Sequence, residues 1–201
     1  MITKYVFNKD TDLDKDFFYV SSLAPYFKKT DKHFEVMDDC IKNSYNPDIE
    51  DWDYISILTK KKYKNGAKLS THCTFEKYGA PIIVFSNDYT TDEKGDNFYG
   101  LHFEVVAYEK GCNIWHIYPL PAGSRTPIAT PKIGFGEFVI EGGEMVDMTV
   151  EVIGKKIKVT MNGQTIETEN EHIPDVFHVG LTACEGVNRF YDFTIDAEEA
   201  E

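Results

Sequence analysis

Apolar and polar residues alternate one by one along most of the chain, which is the period of a β-strand with one buried side. The pattern is clearest over 146–152, where every second residue is Val or Met and the residues between are Asp, Thr and Glu. A similar run over 156–161 follows the pair Gly154-Lys155, and Asn162-Gly163 ends that run. Gly and Asn-Gly accept the positive φ angles of tight hairpin turns. The sequence therefore predicts a β-meander in this region.

Further segments show the same alternation or short apolar runs, whereas helical periodicity is nearly absent. The predicted strands lie near residues 4–7, 17–21, 33–42, 54–61, 67–76, 81–87, 98–108, 112–118, 133–140, 176–183 and 189–195. The run over 81–87 is apolar on both sides, which indicates a central strand. About a dozen short strands without helices must close on themselves or pack as two sheets, and we expect two facing sheets. No linker rich in Gly or Ser divides the chain, so we expect an all-β domain over 1–201 with a frayed tail at 197–201.

Charge and composition narrow the classes of partner. Asp and Glu outnumber Lys and Arg by 34 to 21, a net charge of −13, so the surface repels phosphate backbones and we expect no nucleic-acid partner. No apolar run approaches the roughly 18 residues of a membrane span, and charged residues interrupt the N-terminus before a signal sequence could form. We therefore expect a cytoplasmic protein that does not bind membranes. The oligomeric state stays open.

Three segments near the C-terminus resemble a known family in their order. The run Val150–Gly163 is followed by Phe-His-Val-Gly-Leu-Thr-Ala at 177–183 and by Phe-Tyr-Asp-Phe-Thr-Ile at 190–195. This order resembles the end of the concanavalin A-like lectin/glucanase superfamily, in which an aromatic-Asp-aromatic strand closes the jelly roll. The resemblance covers 145–196 and extends more loosely from about residue 50. It implies a two-sheet antiparallel jelly-roll sandwich whose concave sheet binds an oligo- or polysaccharide, as in a lectin.

The hydrolase branch of that superfamily usually carries alternating acids on a concave strand, in the form Glu-x-Asp-x-x-Glu or Glu-x-Asp-x-Glu. The nearest strand here reads Leu-His-Phe-Glu-Val-Val at 101–106 and has one carboxylate, Glu104. Because a shared fold does not fix a function, three functions stay open. They are a carbohydrate-binding domain, a glycoside hydrolase or polysaccharide lyase, and a non-catalytic structural or interaction domain.

Glu104 and His102 are the candidate catalytic residues. They stand two apart on one strand, so their side chains share a face and can act as an acid/base pair. Hydrolysis needs a second carboxylate, for which Glu76 and Glu137 are candidates. A lyase would instead use a His or Tyr base beside a group that neutralises a carboxylate, such as Arg125.

Other candidate ligand-binding residues depend on how the strands pair. A three-residue loop after residue 108 would place His116 and Tyr118 opposite Glu104 and His102, whereas a two-residue loop would turn His116 to the other face. The sequence leaves both registers open. His72, on the polar side of its strand, could join the same surface.

Tryptophan and aspartate supply the remaining candidates. An exposed indole stacks on sugar rings, so Trp52 and Trp115 are candidate binding residues, although a strand Trp can instead fill the core. The resemblance implies that Asp192, on the closing strand, helps to hold a structural calcium with acids from the first 16 residues. No other cofactor is expected.

Overall fold

The computed structural model describes residues 1–20, 33–43, 54–91, 97–126 and 128–201. One four-residue helix, α1 (Leu13–Asp16), occurs among these residues. The strands, in chain order, are β1 (Ile2–Val6), β2 (Phe17–Val20), β3 (Glu35–Val36), β4 (Ile41–Lys42), β5 (Tyr54–Thr59), β6 (Tyr63–Lys64), β7 (Ala67–Glu76), β8 (Ala80–Ser86), β9 (Tyr89–Thr91), β10 (Asn97–Tyr99), β11 (His102–Tyr108), β12 (Gly111–Pro119), β13 (Ile128–Ala129), β14 (Lys132–Glu137), β15 (Val146–Ile153), β16 (Lys156–Met161), β17 (Gln164–Glu169), β18 (Val176–Cys184), β19 (Val187–Phe190) and β20 (Asp192–Asp196).

These strands form two large sheets and a separate two-stranded sheet of β9 and β10. The first sheet has the order β17-β16-β15-β7-β19-β4-β3, with β20 also beside β7 and β1 beside β20. The second sheet has the order β13-β12-β11-β8-β18-β5-β2, with β14 also beside β12 and β6 beside β18. Every strand pair in the described part of the chain is antiparallel. The predicted all-β, two-sheet antiparallel sandwich is confirmed.

The main hydrophobic core lies between the two sheets. The first sheet contributes the apolar half of its alternating strands, such as Leu69 and Val150, and the second sheet contributes Phe85 and Phe103. The Phe85 and Phe103 rings stack with centroids 4.9 Å apart. Burying a side chain of this size stabilises the fold by roughly 1.5–3 kcal/mol. The period-2 pattern thus corresponds directly to the facing surfaces of the two sheets.

The second sheet is also buried on the side turned away from this core, which we call its outer face. A separate apolar cluster lies there and includes Leu58, Ile82, Val84 and Tyr99. This explains why β8 is apolar on both sides, and β8 lies between β11 and β18 as the sequence predicted for a central strand. The outer face of the first sheet, in contrast, carries mainly polar side chains.

The hairpin between β11 and β12 has a two-residue loop, since Tyr108 pairs with Gly111. Gly111 has a φ of +122°, and a Cβ there would lie 2.1 Å from the carbonyl oxygen of Gly136. A side chain at this position would therefore clash with β14. The register that follows places Trp115 opposite Glu104, and His116 opposite Phe103.

The C-terminal tail, expected to fray, is hydrogen-bonded to the sandwich. The Ala197 N–H donates to the Met1 carbonyl, and the Ala200 N–H donates to the Lys62 carbonyl. Glu199 pairs with Tyr63 through backbone hydrogen bonding, in an isolated antiparallel β-bridge. Hydrogen bonds of this kind attach a terminus to its domain.

No helix in the described ranges is long and apolar enough to cross a membrane. Cys40, Cys73, Cys112 and Cys184 are buried free thiols.

Candidate functional site

Three neighbouring strands, β11, β12 and β14, place a small grid of side chains on the outer face of the second sheet. Cross-strand pairing aligns three residues in each of two adjacent rows. The rows are Glu104, Trp115 and Lys132, then Val106, Asn113 and Phe135. We call Trp115, Asn113, Lys132 and Phe135 the platform.

A β-bulge makes the platform. Lys132 and Phe135 are three residues apart, so a regular strand would turn them to opposite faces. The register between β12 and β14 shifts between Ile114 and Trp115, which pair with Gly134 and Lys132, so that Ile133 is skipped. Because a bulge adds one residue to a strand, Lys132 and Phe135 both reach the outer face.

The two aromatic rings of the platform are open to solvent to different degrees. Phe135 is 63% exposed, and Trp115 is half-buried. The Lys132 ammonium lies 5.3 Å from the Trp115 ring centroid and 5.9 Å from that of Phe135. A cation at this distance is attracted to the faces of both rings. The lysine thus joins two aromatic side chains into one surface.

A cleft of about 380 Å³ continues the grid toward the β11–β12 hairpin. Its wall includes Val106 and Asn113 from the grid, together with Tyr78 and Tyr108. The Asn113 Oδ1 is buried and has no hydrogen-bond partner. Tyr78 is 80% exposed and has a φ of 66°, a left-handed conformation that costs energy for a bulky residue. The cleft therefore joins exposed aromatic surface to an unpaired amide oxygen.

Glu104 lies beside the platform but takes part in a buried polar network. His102 is 1% exposed and Glu104 4% exposed. The Tyr54 hydroxyl donates a hydrogen bond to Glu104 Oε1, and His102 Nε2 is 3.2 Å from the same oxygen. The Tyr99 ring stacks on the His102 ring with centroids 4.3 Å apart. Burial, and then the charge of Glu104, raise the pKa of Tyr54 well above its usual value.

Hydrogen-bond geometry places one proton of this network on His102 Nδ1 and requires a second between His102 and Glu104. His102 Nδ1 is 3.0 Å from the Gly100 carbonyl oxygen, which can only accept, so Nδ1 carries a proton. The contact between His102 Nε2 and Glu104 then also needs a proton, carried by the imidazolium or by the carboxyl group. In either arrangement Glu104 Oε1 is already hydrogen-bonded to Tyr54 and His102.

His102 and Glu104 are brought together as the sequence predicted, but His116 and Tyr118 are not part of this network. The two-residue loop turns His116 toward the sandwich interior, where its ring stacks on Phe103 with centroids 4.6 Å apart. Tyr118 is two residues further along the same side of β12, and its ring centroid lies 4.7 Å from that of His116. The three-residue alternative for this loop was wrong.

His72 does not join the outer face of the second sheet, because its strand β7 belongs to the first sheet. The His72 backbone N–H donates to Asp192 Oδ1, and its Nδ1 is 2.7 Å from Asp192 Oδ2. Both oxygens of Asp192 are therefore engaged by one histidine. In the described ranges no three His, Cys, Asp or Glu residues are grouped to hold a metal ion. These residues do not fit the calcium that the resemblance implied at Asp192.

The structure describes one of the two candidate tryptophans and both candidates for a second carboxylate. Trp115 lies on the outer face, where it packs against the apolar cluster, and not in the core between the sheets. Trp52 falls outside the described residues. Glu76 is on the first sheet, 3.5 Å from Arg189. Glu137 pairs with Gly111 on β12, and Gly111 pairs with Tyr108 on β11. Glu137 is therefore four residues along and two strands across from Glu104, or roughly 13 Å by 10 Å of backbone. That separation exceeds the roughly 5–10 Å of glycosidase carboxylate pairs.

Arg125, the candidate neutralising group, is exposed in the loop between β12 and β13. Asn113, Lys132 and Phe135 were not among the sequence candidates. The available sequence signal for this surface was an apolar residue, Phe135, within the strand predicted near 133–140.

His116 has an unusual protonation environment. The backbone N–H of His172 donates to Asn170 Oδ1. This bond orients the Asn170 side-chain amide, so that its Nδ2 donates to His116 Nδ1 at 3.3 Å. The neutral ring therefore carries its proton on Nε2, which is buried without a partner. Burial, with further contributions from His172 and His102, lowers the pKa of His116 to about 4.

This shift predicts acid sensitivity. The pKa of His116 is about 4 in the folded chain against 6.5 as the ordinary value, so the unfolded state takes up this proton first as the pH falls. The contribution of His116 to stability is therefore present above pH 6.5 and decreases toward pH 4, by about 3 kcal/mol. Urea unfolding between pH 7 and 4 should show a smaller loss of stability for His116→Phe than for the original chain. Parallel pH profiles for the two proteins would contradict this assignment.

Comparisons with known proteins place the fold. The chain matches no known protein-family model and no curated protein. Its structure is similar to a Bacillus subtilis protein with a galectin-like fold, at 10% identity and a TM-score of 0.66, covering 99% of this chain and 96% of that one. It is also similar to the κ-carrageenase of Pseudoalteromonas carrageenovora in complex with a κ-carrageenan oligotetrasaccharide, at 9% identity and a TM-score of 0.62, covering 98% and 93%. The carbohydrate-binding module CBM66 of Bacillus subtilis matches at 10% identity and a TM-score of 0.55, covering 80% and 86%. The chain therefore has a jelly-roll β-sandwich fold like that of these structures.

Proposed function

We propose that this protein binds a glycan on the outer face of its second sheet, across the platform and the adjoining cleft. The observation that carries the proposal is the pair of solvent-accessible rings, Trp115 and Phe135, on one face of neighbouring strands. Aromatic rings stack on the apolar faces of sugar rings, and polar groups beside them select hydroxyls. Asn113, in the row of Phe135, supplies such a polar group.

Two of the structural neighbours support a carbohydrate ligand by what they bind. One is a carbohydrate-binding module, and another was solved with an oligosaccharide. Because one fold supports many functions, this support is general, and the platform supplies the argument specific to this chain.

The arrangement favours binding over hydrolysis. Glu104 Oε1 is engaged by Tyr54 and His102, and Glu137 lies far along the hairpin. Hydrolysis by two carboxylates requires a close pair that flanks the scissile bond. We therefore expect a bound glycan to be left intact.

A glycan array, probed with and without a chelator, gives the first test. The chelator should change nothing, because the residues around Asp192 do not fit a calcium ion. The best ligand is then incubated with the protein and assayed for new reducing ends. Release of product that stops in Glu104→Gln would replace the binding function with a hydrolase. A complete absence of array binding would contradict the proposed function itself.

Phe135→Ala should weaken binding of the best array ligand by about five- to tenfold, since one aromatic contact is lost. The side chain is 63% exposed, so its removal should leave the melting temperature nearly unchanged. Val139→Ala is the matched control, because Val139 is 81% exposed and lies outside the grid. Titration calorimetry measures both affinities. Equal affinities for the two variants would remove Phe135 from the binding surface.

A further inference from the structure

We infer that the glycan carries a negative charge, such as a carboxylate or a sulfate ester, and that Lys132 binds it. This inference rests on the proposed function, because it assigns the ligand class of the same platform. The stacking rings alone would accept neutral and charged sugars alike, whereas Lys132 would favour negatively charged ones.

The first reason is the position of Lys132 within the platform. Its ammonium is within 6 Å of the ring centroids of both Trp115 and Phe135. A sugar that stacks on either ring therefore brings its substituents close to this cation. The lysine side chain is exposed, so a ligand can reach it from solvent.

The second reason is that Lys132 has no carboxylate partner among the described residues. Several other lysines are paired: Lys61 lies 2.7 Å from Glu199, and Lys156 lies 3.0 Å from Glu169. In a chain with a net charge of −13, acidic residues are plentiful, yet no acid of the described ranges forms an ion pair with Lys132. The aromatic rings hold the ammonium without neutralising it, since a cation–π contact leaves the positive charge available to an anion.

The third reason is the charge of the other groups in the grid. Asn113, Trp115, Val106 and Phe135 carry no charge, and Glu104 is buried in its network with His102. Lys132 is thus the exposed charge of the grid. A hydrogen bond between an ammonium and a ligand anion is roughly twice as strong as one between neutral groups, so the charge should decide among ligands.

The test compares oligosaccharides of equal length that differ only in charge. The probes are an oligogalacturonate, the neutral oligomer made by reducing its carboxylates, and a sulfated form of that neutral oligomer. The array provides a wider set of acidic and neutral glycans. We expect both charged ligands to bind at least about tenfold more tightly than the neutral oligomer. Comparison of the oligogalacturonate with the sulfated oligomer then shows whether the site prefers a carboxylate or a sulfate.

Variants at one position separate charge from shape. Lys132→Gln should reduce the preference for charged ligands to within about threefold, and Lys132→Arg should retain most of it. Lys156→Gln, on the exposed surface of the first sheet, is the matched control and should leave binding unchanged. If neutral glycans bind as tightly as charged ones and Lys132→Gln changes neither, the charge inference is overturned while the proposed function stands. If no glycan binds, both are overturned.

Discussion

Trp115→Ala should reduce the affinity for the best array ligand by at least about thirtyfold, the largest binding effect that we expect. Trp115 is the larger ring of the platform, and it pairs across the strands with both Glu104 and Lys132. Its removal takes away the stacking surface and also releases Lys132, whose ammonium lies 5.3 Å from the indole. Trp residues that a partner covers on binding frequently account for more than about 2 kcal/mol of affinity, and this gives the expected factor.

Two controls separate lost stacking from lost folding. Trp115→Phe keeps an aromatic ring at the same place and should retain part of the affinity. Thermal unfolding of both variants should remain cooperative, because Trp115 lies outside the core between the sheets. If Trp115→Ala binds as tightly as the original chain while folded, the ligand is bound elsewhere and the platform has no such role.

Glu104→Ala should lower the free energy of unfolding by about 3–5 kcal/mol, the largest stability effect that we expect. The substitution removes the buried acceptor that the Tyr54 hydroxyl and His102 Nε2 share, and it opens a cavity among apolar residues. Lost buried hydrogen bonds and cavities both cost stability. Urea unfolding at neutral pH measures the loss from the change in midpoint at constant slope.

Glu104→Gln is the informative companion. Its amide oxygen can still accept from Tyr54, and its amide nitrogen can donate to a neutral His102, so the loss should stay near 1 kcal/mol. Glycan affinity should remain within a few fold of the original value, since Glu104 acts beneath the ligand surface. An alanine variant as stable as the glutamine variant would mean that the network does not support the fold.

The sequence predicted the layers of this fold because alternation reports burial directly. The runs 146–152 and 156–161 became β15 and β16, and the apolar run 81–87 became the central strand β8. The shared face of His102 and Glu104 followed from strand periodicity alone. None of these predictions needed to know which distant strand lay alongside.

The candidate site depended on strand register, which the sequence left open. A loop shorter by one residue moved His116 to the interior and brought Trp115 beside Glu104. A bulge opposite Ile114 and Trp115 brought Lys132 and Phe135 to one face, and no local residue pattern signals it. Membership in a sheet is also a long-range property, so the alternation around His72 could not show that β7 belongs to the other sheet.

The burial of Glu104 could not be predicted from the sequence, because residues from other segments cover its strand. An acid between two apolar neighbours on a strand is typical of a solvent-facing side. The outer face of the second sheet is instead covered around His102 and Glu104, with Tyr99 among the residues in contact with His102. Both sides of β11 are therefore buried near its centre, and the exposed surface begins one strand away at Trp115.

The most direct test of the central claim is an NMR titration of the Trp115 indole N–H with the best array ligand. In the Trp52→Phe variant the chain contains one tryptophan, so a single indole signal reports on the platform. We predict that this signal shifts and saturates with the same dissociation constant that calorimetry gives. An indole signal that stays unchanged while calorimetry records saturable binding would contradict the claim that the glycan is bound on this face.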